Sequence, residues 1–252
     1  MRALITGASS GIGRELAIIL DKMGYDIIAV ARREDKLNEL KSILNNNTIT
    51  YVADISNREE CTKLFFMFPD IDILINNAGI GVFGEFSKTN LNEEMSMLNL
   101  NINATHILTK LYVKEFMKKD SGYILNIASS AAFFPGPLFS SYYASKAYVY
   151  RLTRAINKEL KKSCSNVSIS VACPGPVDTE FNEKAGVNAG IGALTPQQVA
   201  KYLLKMMFKK KLVIVPGFTT KLTRIISKLL PDCLTENFVY RLQQKKHKNA
   251  RP

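Results

Sequence analysis

Histidine is nearly missing from this chain: among 252 residues only His106 and His247 occur. Neither has soft-ligand neighbours at metal-binding spacing, so no zinc site is expected. Cysteine is sparse as well. Cys61, Cys164, Cys173 and Cys233 lie too far apart for a Cys-x-x-Cys pair, and they read as small buried hydrophobes rather than a disulfide frame. No apolar run reaches the about 18 residues that a bilayer span needs. The opening residues MRALITGASS pass from a strand-like stretch straight into a glycine turn. That leaves no room for a secretion signal, and a cytoplasmic location is expected. Linkers, internal repeats and low-complexity tracts are missing too, which argues for one domain.

What is present suits a globular chain with a sizeable core, 46% hydrophobic and 22% charged. The charge is unevenly placed. Residues 201–252 hold thirteen Lys or Arg against Asp232 and Glu236, while the first two hundred residues carry 21 basic and 20 acidic groups. A neutral body with a basic tail does not suit a DNA-binding domain, whose charge would line a folded groove, and no nucleic-acid partner is expected.

Apolar stretches at 2–6, 26–31, 49–52, 71–75, 123–127, 167–172 and 212–215 read as strands. Segments of helical period lie between them, at 12–23, 34–44, 59–68, 97–118, 142–161 and 196–208. Continuous apolar strands alternating with helices predict an α/β fold, a Rossmann-like doubly wound parallel sheet covered on both faces. Residues 1–217 are expected to form this single domain and residues 218–252 a helical basic extension. Ligands in such folds sit at the carboxyl ends of the strands.

The chemistry-bearing residues fall at those ends. After the first strand comes TGASSGIG, in which Gly7, Gly11 and Gly13 permit a tight turn and Ser9, Ser10 and Ile12 lead into a helix. Such a loop lets a pyrophosphate approach the backbone at a helix N-terminus. Gly7, Ser9 and Gly11 also satisfy a hydrolase Gly-x-Ser-x-Gly elbow, but that chemistry needs a histidine base. His106 falls mid-helix and His247 in the charged tail, so the hydrolase reading stands well behind. The second strand ends in Ala31, Arg32 and Arg33, where an NAD site normally carries an acid. Two guanidinium groups there suit a 2′-phosphate and favour NADP(H) over NAD(H).

Asn76-Asn77-Ala78-Gly79 follows the fourth strand, and Ser129 precedes Tyr142 by thirteen residues. Lys146 lies one helical turn beyond Tyr142, on the same face. A free phenol has a pKa of about 10. A neighbouring ammonium favours phenolate and makes an acid–base group without histidine.

In this order the motifs resemble the classical branch of the short-chain dehydrogenase/reductase family, over residues 2–215. The resemblance implies that Tyr142 protonates a carbonyl oxygen as hydride arrives, with Ser129 hydrogen-bonded to the same oxygen. Lys146 would lower the Tyr142 pKa and hold the nicotinamide ribose. Asn101, chosen over Asn99 and Asn103 by its spacing to Ala104 and Thr109, would hold a relay water. Asp54 and Ile55 would meet the adenine, and Asn77, Ala78 and Gly79 would shape the cofactor cleft. Pro174, Gly175, Val177 and Thr179, within the run from Pro174 to Thr179, would hold the nicotinamide amide. A homodimer or homotetramer formed through the long helices is also implied.

Phe83, Phe86, Phe133, Phe134, Leu138, Phe139 and Phe181 fall in segments expected to rim the cleft, and about half should face it. They favour an apolar small-molecule carbonyl or alcohol. The segment 181–195, rich in Gly and Ala, reads as a lid. In the tail, Leu222, Ile225, Ile226, Leu229 and Leu230 form a helical stripe among Lys221, Arg224 and Lys228. Packing on the domain or a second subunit is the favoured expectation, with a peripheral contact on an anionic membrane as the alternative. Lys245-Lys246-His247-Lys248 reads as a frayed end. The rival functions are an NAD-dependent enzyme of the same family and a non-catalytic dinucleotide-sensing or membrane-bound regulator.

Overall fold

The computed structural model describes residues 1–185 and 193–248. Among these, parallel strands β1 (Arg2–Thr6), β2 (Asp26–Ala31), β3 (Thr48–Val52), β4 (Ile73–Asn76), β5 (Tyr123–Ile127), β6 (Ser168–Ala172) and β7 (Val213–Ile214) form one sheet, ordered β3-β2-β1-β4-β5-β6-β7. The helices are α1 (Gly11–Lys22), α2 (Glu34–Ile43), α3 (Arg58–Met67), α4 (Leu91–Leu98) and α5 (Thr105–Lys118). They continue as α6 (Ser140–Lys162), α7 (Glu180–Lys184), α8 (Pro196–Phe208), α9 (Phe218–Leu229) and α10 (Asp232–Lys248).

Alternation along each strand feeds two cores. Ala3, Ile5, Ile27 and Ala29 meet α1, α2 and α8 through Leu16, Leu20, Leu37 and Leu203. Leu4, Ile28 and Leu74 point the other way, onto Leu64 of α3 and Leu108, Tyr112 and Phe116 of α5. Because both faces are covered, the strands read as unbroken apolar runs. Leu4, Ile5 and Ile27 are fully buried, each contributing roughly 1.5–3 kcal/mol against the entropy of ordering. Helix α8 starts at a reciprocal cap: Thr195 Oγ1 accepts from the Gln198 N–H, and the Gln198 side chain accepts from the Thr195 N–H.

The structure departs from the sequence pattern in three places. Ile71 is buried but precedes β4, which starts at Ile73. The helix read over 97–118 begins earlier, at Leu91, where Asn90 Oδ1 caps the N–H groups of Asn92 and Glu93. Its course then widens over Asn99–Ala104 into a π-turn, a device frequent at functional sites.

The third departure is the tail. Helix α9 rests on the body through buried Thr220 and part-buried Thr223, Arg224 and Ser227. The Thr220 hydroxyl packs directly on Gly175, where even an added Cβ would clash with it, so the absence of a side chain at 175 lets α9 approach this closely. The stripe Leu222, Ile225, Ile226, Leu229 and Leu230, expected to pack on the domain or a second subunit, is not covered by the domain. Helix α10 buries Thr235, Val239 and Gln243. The central part of the expected lid, 186–192, lies outside the described residues, as do the side chains of 245–248 at the basic end.

Candidate active site

Connections leave β1 and β4 in opposite directions at the centre of the sheet, the switch point where such folds open a crevice. Here the crevice is a cleft of about 350 Å³ at the carboxyl ends of the strands. Gly7 (φ +67°) and Gly11 (φ +55°) make the turn from β1 into α1. This conformation is strained for residues with a side chain. The next strand braces the turn. Thr6 Oγ1 accepts the N–H groups of Asn77 and Ala78 at 3.0 and 3.1 Å, and Asn77 Nδ2 donates to the carbonyls of Thr6 and Gly7 at 3.0 and 3.2 Å.

Ser10 precedes α1 without a side-chain cap bond, and the first turn carries no acid. The helix N-terminus therefore presents N–H groups and a positive dipole to the cleft. Arg33 Nη2 reaches the hydroxyls of Ser9 and Ser10 at 3.2 and 3.0 Å, while its Nη1 pairs with Glu180 at 2.8 Å. Arg32 pairs with Asp54 at 3.5 Å at the exposed edge, a contact of little energetic weight. On these features a phosphate-bearing dinucleotide fits the cleft: glycine backbone, open helix end and guanidinium all face one side of it.

The reacting end lies below. Tyr142 and Lys146 share one face of α6 and are 7% and 4% exposed. Lys146 Nζ lies 5.7 Å from the centroid of the Tyr142 ring and donates to the Ile127 carbonyl at 3.1 Å. Phe139 stacks on the Tyr142 ring, centroids 4.4 Å apart, and Phe181 meets it at 5.4 Å. Burial decides the protonation states. It pushes the Tyr142 phenol well above its ordinary value, and the Ser129 hydrogen bond offsets this only in part. The same burial pulls Lys146 down to about 8. The acidified phenol expected from helix spacing is thus overridden by desolvation, which penalises both charged forms.

The residues read from the sequence converge, with two distinctions. Ser129, Tyr142, Lys146, Arg32, Arg33, Asp54, Ile55, the segments 77–79 and 174–177, and Thr179 line the cleft, as do Gly7, Ser9, Ser10, Gly11 and Ile12. Gly13 and Asn101 stand behind the lining. Gly13 packs on the Gly7 carbonyl. Asn101, 1% exposed in the π-turn, accepts from the Ile80 N–H and donates to the Ile80 carbonyl and Ser145 Oγ, at 2.9–3.1 Å. Asn103 instead donates to Asn99 near the surface. Ser9 has no histidine beside it among the described side chains, since His106 bonds Tyr148 on the exterior. Of the aromatics expected at the rim, Phe139 and Phe181 line the cleft, Phe83 packs on Phe139, Phe133 packs on Tyr150 and Phe86 is exposed.

Apart from the motif that contains Asn76, some of the site's support had no legible signal. Asn76, Thr109, Asn126 and Thr153 form a buried hydrogen-bonded chain across β4, α5, β5 and α6, with each link at 2.8–3.3 Å. Four separated polar residues could be joined only by the fold. Gln243 of α10 lines the cleft and donates to the Tyr143 hydroxyl at 2.7 Å. A glutamine in a basic tail, a hundred residues from its partner, carries no motif. Glu180 and Asn182 of α7 also line it.

Comparison with known proteins agrees with this geometry. A family model described as short chain dehydrogenase matches residues 1–204. An uncharacterized oxidoreductase of Staphylococcus aureus is 31% identical over 225 residues, covering 87% of this chain and 96% of that one. A 3-oxoacyl-[acyl-carrier-protein] reductase of Rickettsia felis is 30% identical over 182 residues, covering 72% and 75%. A short-chain dehydrogenase from Sphingobium yanoikuyae in complex with NADPH superposes with a TM-score of 0.80 at 28% identity, covering 86% and 88%. With the cleft, the motifs and the matched lengths in agreement, the chain belongs to the short-chain dehydrogenase/reductase family of NAD(P)-dependent oxidoreductases.

Proposed function

We propose that this enzyme reduces a ketone or aldehyde on a mostly apolar small molecule, using NADP(H) in preference to NAD(H). The carrying observation is the placement of Tyr142, Lys146 and Ser129 in one buried cleft walled by Phe139 and Phe181. The dinucleotide, when bound, supplies two electrons as hydride to the carbonyl carbon. Negative charge then grows on the carbonyl oxygen, and donors fixed in advance at that point lower the barrier. Tyr142 gives that oxygen its proton. A phenol raised by burial is neutral across the physiological range, which is the form an acid needs. Ser129 orients the oxygen, and Lys146 holds the ribose. Asn101 holds the backbone at Ile80 and, on this reading, also the relay water. Gly7, Gly11, Ser9 and Ser10 surround the phosphates, Asp54 and Ile55 meet the adenine, and Pro174, Gly175, Val177 and Thr179 hold the nicotinamide amide.

The NADP(H) preference is supported by Arg33 on the loop serines and by the printed NADPH complex of the Sphingobium relative. The apolar walls agree with an acyl ketone or sterol-like substrate, and an acyl reductase stands among the relatives. Residues 1–217 act as the catalytic unit, in the cytoplasm, with 218–252 as an extension; copies pair through the outer faces of α5 and α6.

A panel of acyl ketones, sterols, aldehydes and sugars, followed by loss of NADPH absorbance, tests the reaction. Turnover of apolar ketones over sugars is expected, and a flat response to the whole panel refutes it. Charge-assisted hydrogen bonds of about 1.5–3 kcal/mol predict that Arg33→Ala weakens NADPH binding about 10- to 100-fold and leaves NADH unchanged. Equal losses for both cofactors would remove the 2′-phosphate assignment.

A further inference from the structure

Helix α9 is amphipathic the wrong way round for a helix whose purpose is to complete the core. Its inward face is Thr220, Thr223, Arg224 and Ser227. Its outward face carries Phe218, Leu222, Ile225, Ile226 and Leu229, exposed by 80%, 48%, 56%, 38% and 75%. Positions 218, 222, 225 and 229 recur at helical spacing, so these side chains form one continuous ridge. Helix α10 extends it, since Leu234, Phe238 and Leu242 are also exposed while Thr235, Val239 and Gln243 face the domain. Singly exposed apolar residues are common, but a continuous ridge along α9, followed by further exposed apolar residues on α10, marks an interaction surface.

Charge selects the occupant. Lys221 and Lys228 border the α9 ridge, both exposed, and α9 contains no carboxylate. Beyond it, Arg241 is exposed, and the region from residue 201 onward holds thirteen cations against two acids. A second copy meeting this ridge through a two-fold axis would bring its own Lys221 and Lys228 into the same seam, like charge facing like. No helix among the described residues is long and apolar enough to cross a membrane. An apolar ridge bordered by cations does match a surface of anionic headgroups over acyl chains.

We propose that α9 and α10 dock the enzyme on an anionic lipid surface, with the ridge inserted at the headgroup boundary and Lys221, Lys228 and Arg241 at the phosphates. The docked helices are joined to the site. Thr220 packs on Gly175 of the cleft wall, and Gln243 lines the cleft itself. An apolar substrate leaving the bilayer would meet the cleft beside this surface.

The chain has no tryptophan, so one placed on the ridge is a unique reporter. Full-length Leu229→Trp is mixed with phosphatidylcholine vesicles, with or without about 30% phosphatidylserine. A blue shift and quenching by brominated lipid are expected with the anionic vesicles, reversed by salt. In parallel, co-sedimentation of Phe218→Ser/Ile225→Ser/Leu229→Ser should fall at least about tenfold, with dinucleotide affinity unchanged as proof of folding. The inference is overturned if the Leu229→Trp emission does not respond to anionic vesicles. It is equally overturned if light scattering shows a wild-type dimer that the triple variant loses while vesicles bind neither protein. These readouts do not depend on turnover, so failure of the proposed carbonyl reduction leaves them intact.

Discussion

Tyr142→Phe is expected to lower turnover by about 10²–10⁴-fold, the span attributed to a positioned general acid, while dinucleotide affinity changes less than about twofold. The substitution removes one oxygen and little else. The Tyr142 ring is held by stacking on Phe139 at 4.4 Å and by Phe181 at 5.4 Å, and phenylalanine retains both contacts. Because only the proton donor is lost, the hydride source and the apolar walls remain in place. Tyr143→Phe is the matched control. Its hydroxyl faces Gln243 at the rim, so its loss should shift substrate affinity rather than the chemical step. Single-turnover oxidation of NADPH, with a separate fluorescence titration of cofactor, measures both quantities. If Tyr142→Phe keeps more than about a tenth of the activity, the proton comes from another group, and Ser129 is the next to examine.

Gly13→Ala is expected to abolish useful dinucleotide binding and to lower the melting temperature. Two effects compete. Alanine inside α1 favours the helix by about 1 kcal/mol over glycine. Against it, a Cβ at this position would lie 2.3 Å from the Gly7 carbonyl oxygen and 2.4 Å from Asn77 Nδ2. The first of these is backbone, part of the turn that brings β1 into α1, so it cannot swing aside as a side-chain tip would. Overpacking of this kind costs about 1–3 kcal/mol or more. The clash wins, and relief comes only by moving the Gly7–Gly11 turn that faces the phosphates. A melting point lower by about 2–8 °C is expected for a chain of this size, together with at least about a tenfold loss of cofactor affinity. Thermal unfolding and titration of the variant decide it; wild-type affinity would show that the turn tolerates displacement. Gly24→Ala provides the contrast, since nothing lies within 4 Å of its added Cβ and only its φ of +87° opposes the change.

Both variants concern residues visible in the primary structure, because their signals are local. Gly13 belongs to a glycine motif whose neighbours, an apolar strand before and a helical period after, are local patterns. Tyr142 and Lys146 are four residues apart on one helix, so their shared face follows from helical geometry alone. The parallel sheet is legible for the same reason: strands buried on both faces must be apolar throughout. Arg33 was visible as a charge but not as a contact, because its partners, Ser9 and Ser10 on one loop and Glu180 on α7, are distant in sequence.

Local pattern therefore determined the sheet, the glycine turn, the Tyr142–Lys146 pair and the basic tail, each a matter of neighbours within one element. Tertiary structure alone decided what lies between elements. It set burial above the nearby ammonium in governing the Tyr142 phenol, joined Asn76 to Thr153 through the core and brought Gln243 to the cleft. It also turned the apolar side of α9 away from the domain, setting Thr220 against Gly175. Helical period tells which residues share a face; only the shape of the opposing surface tells which face is inside.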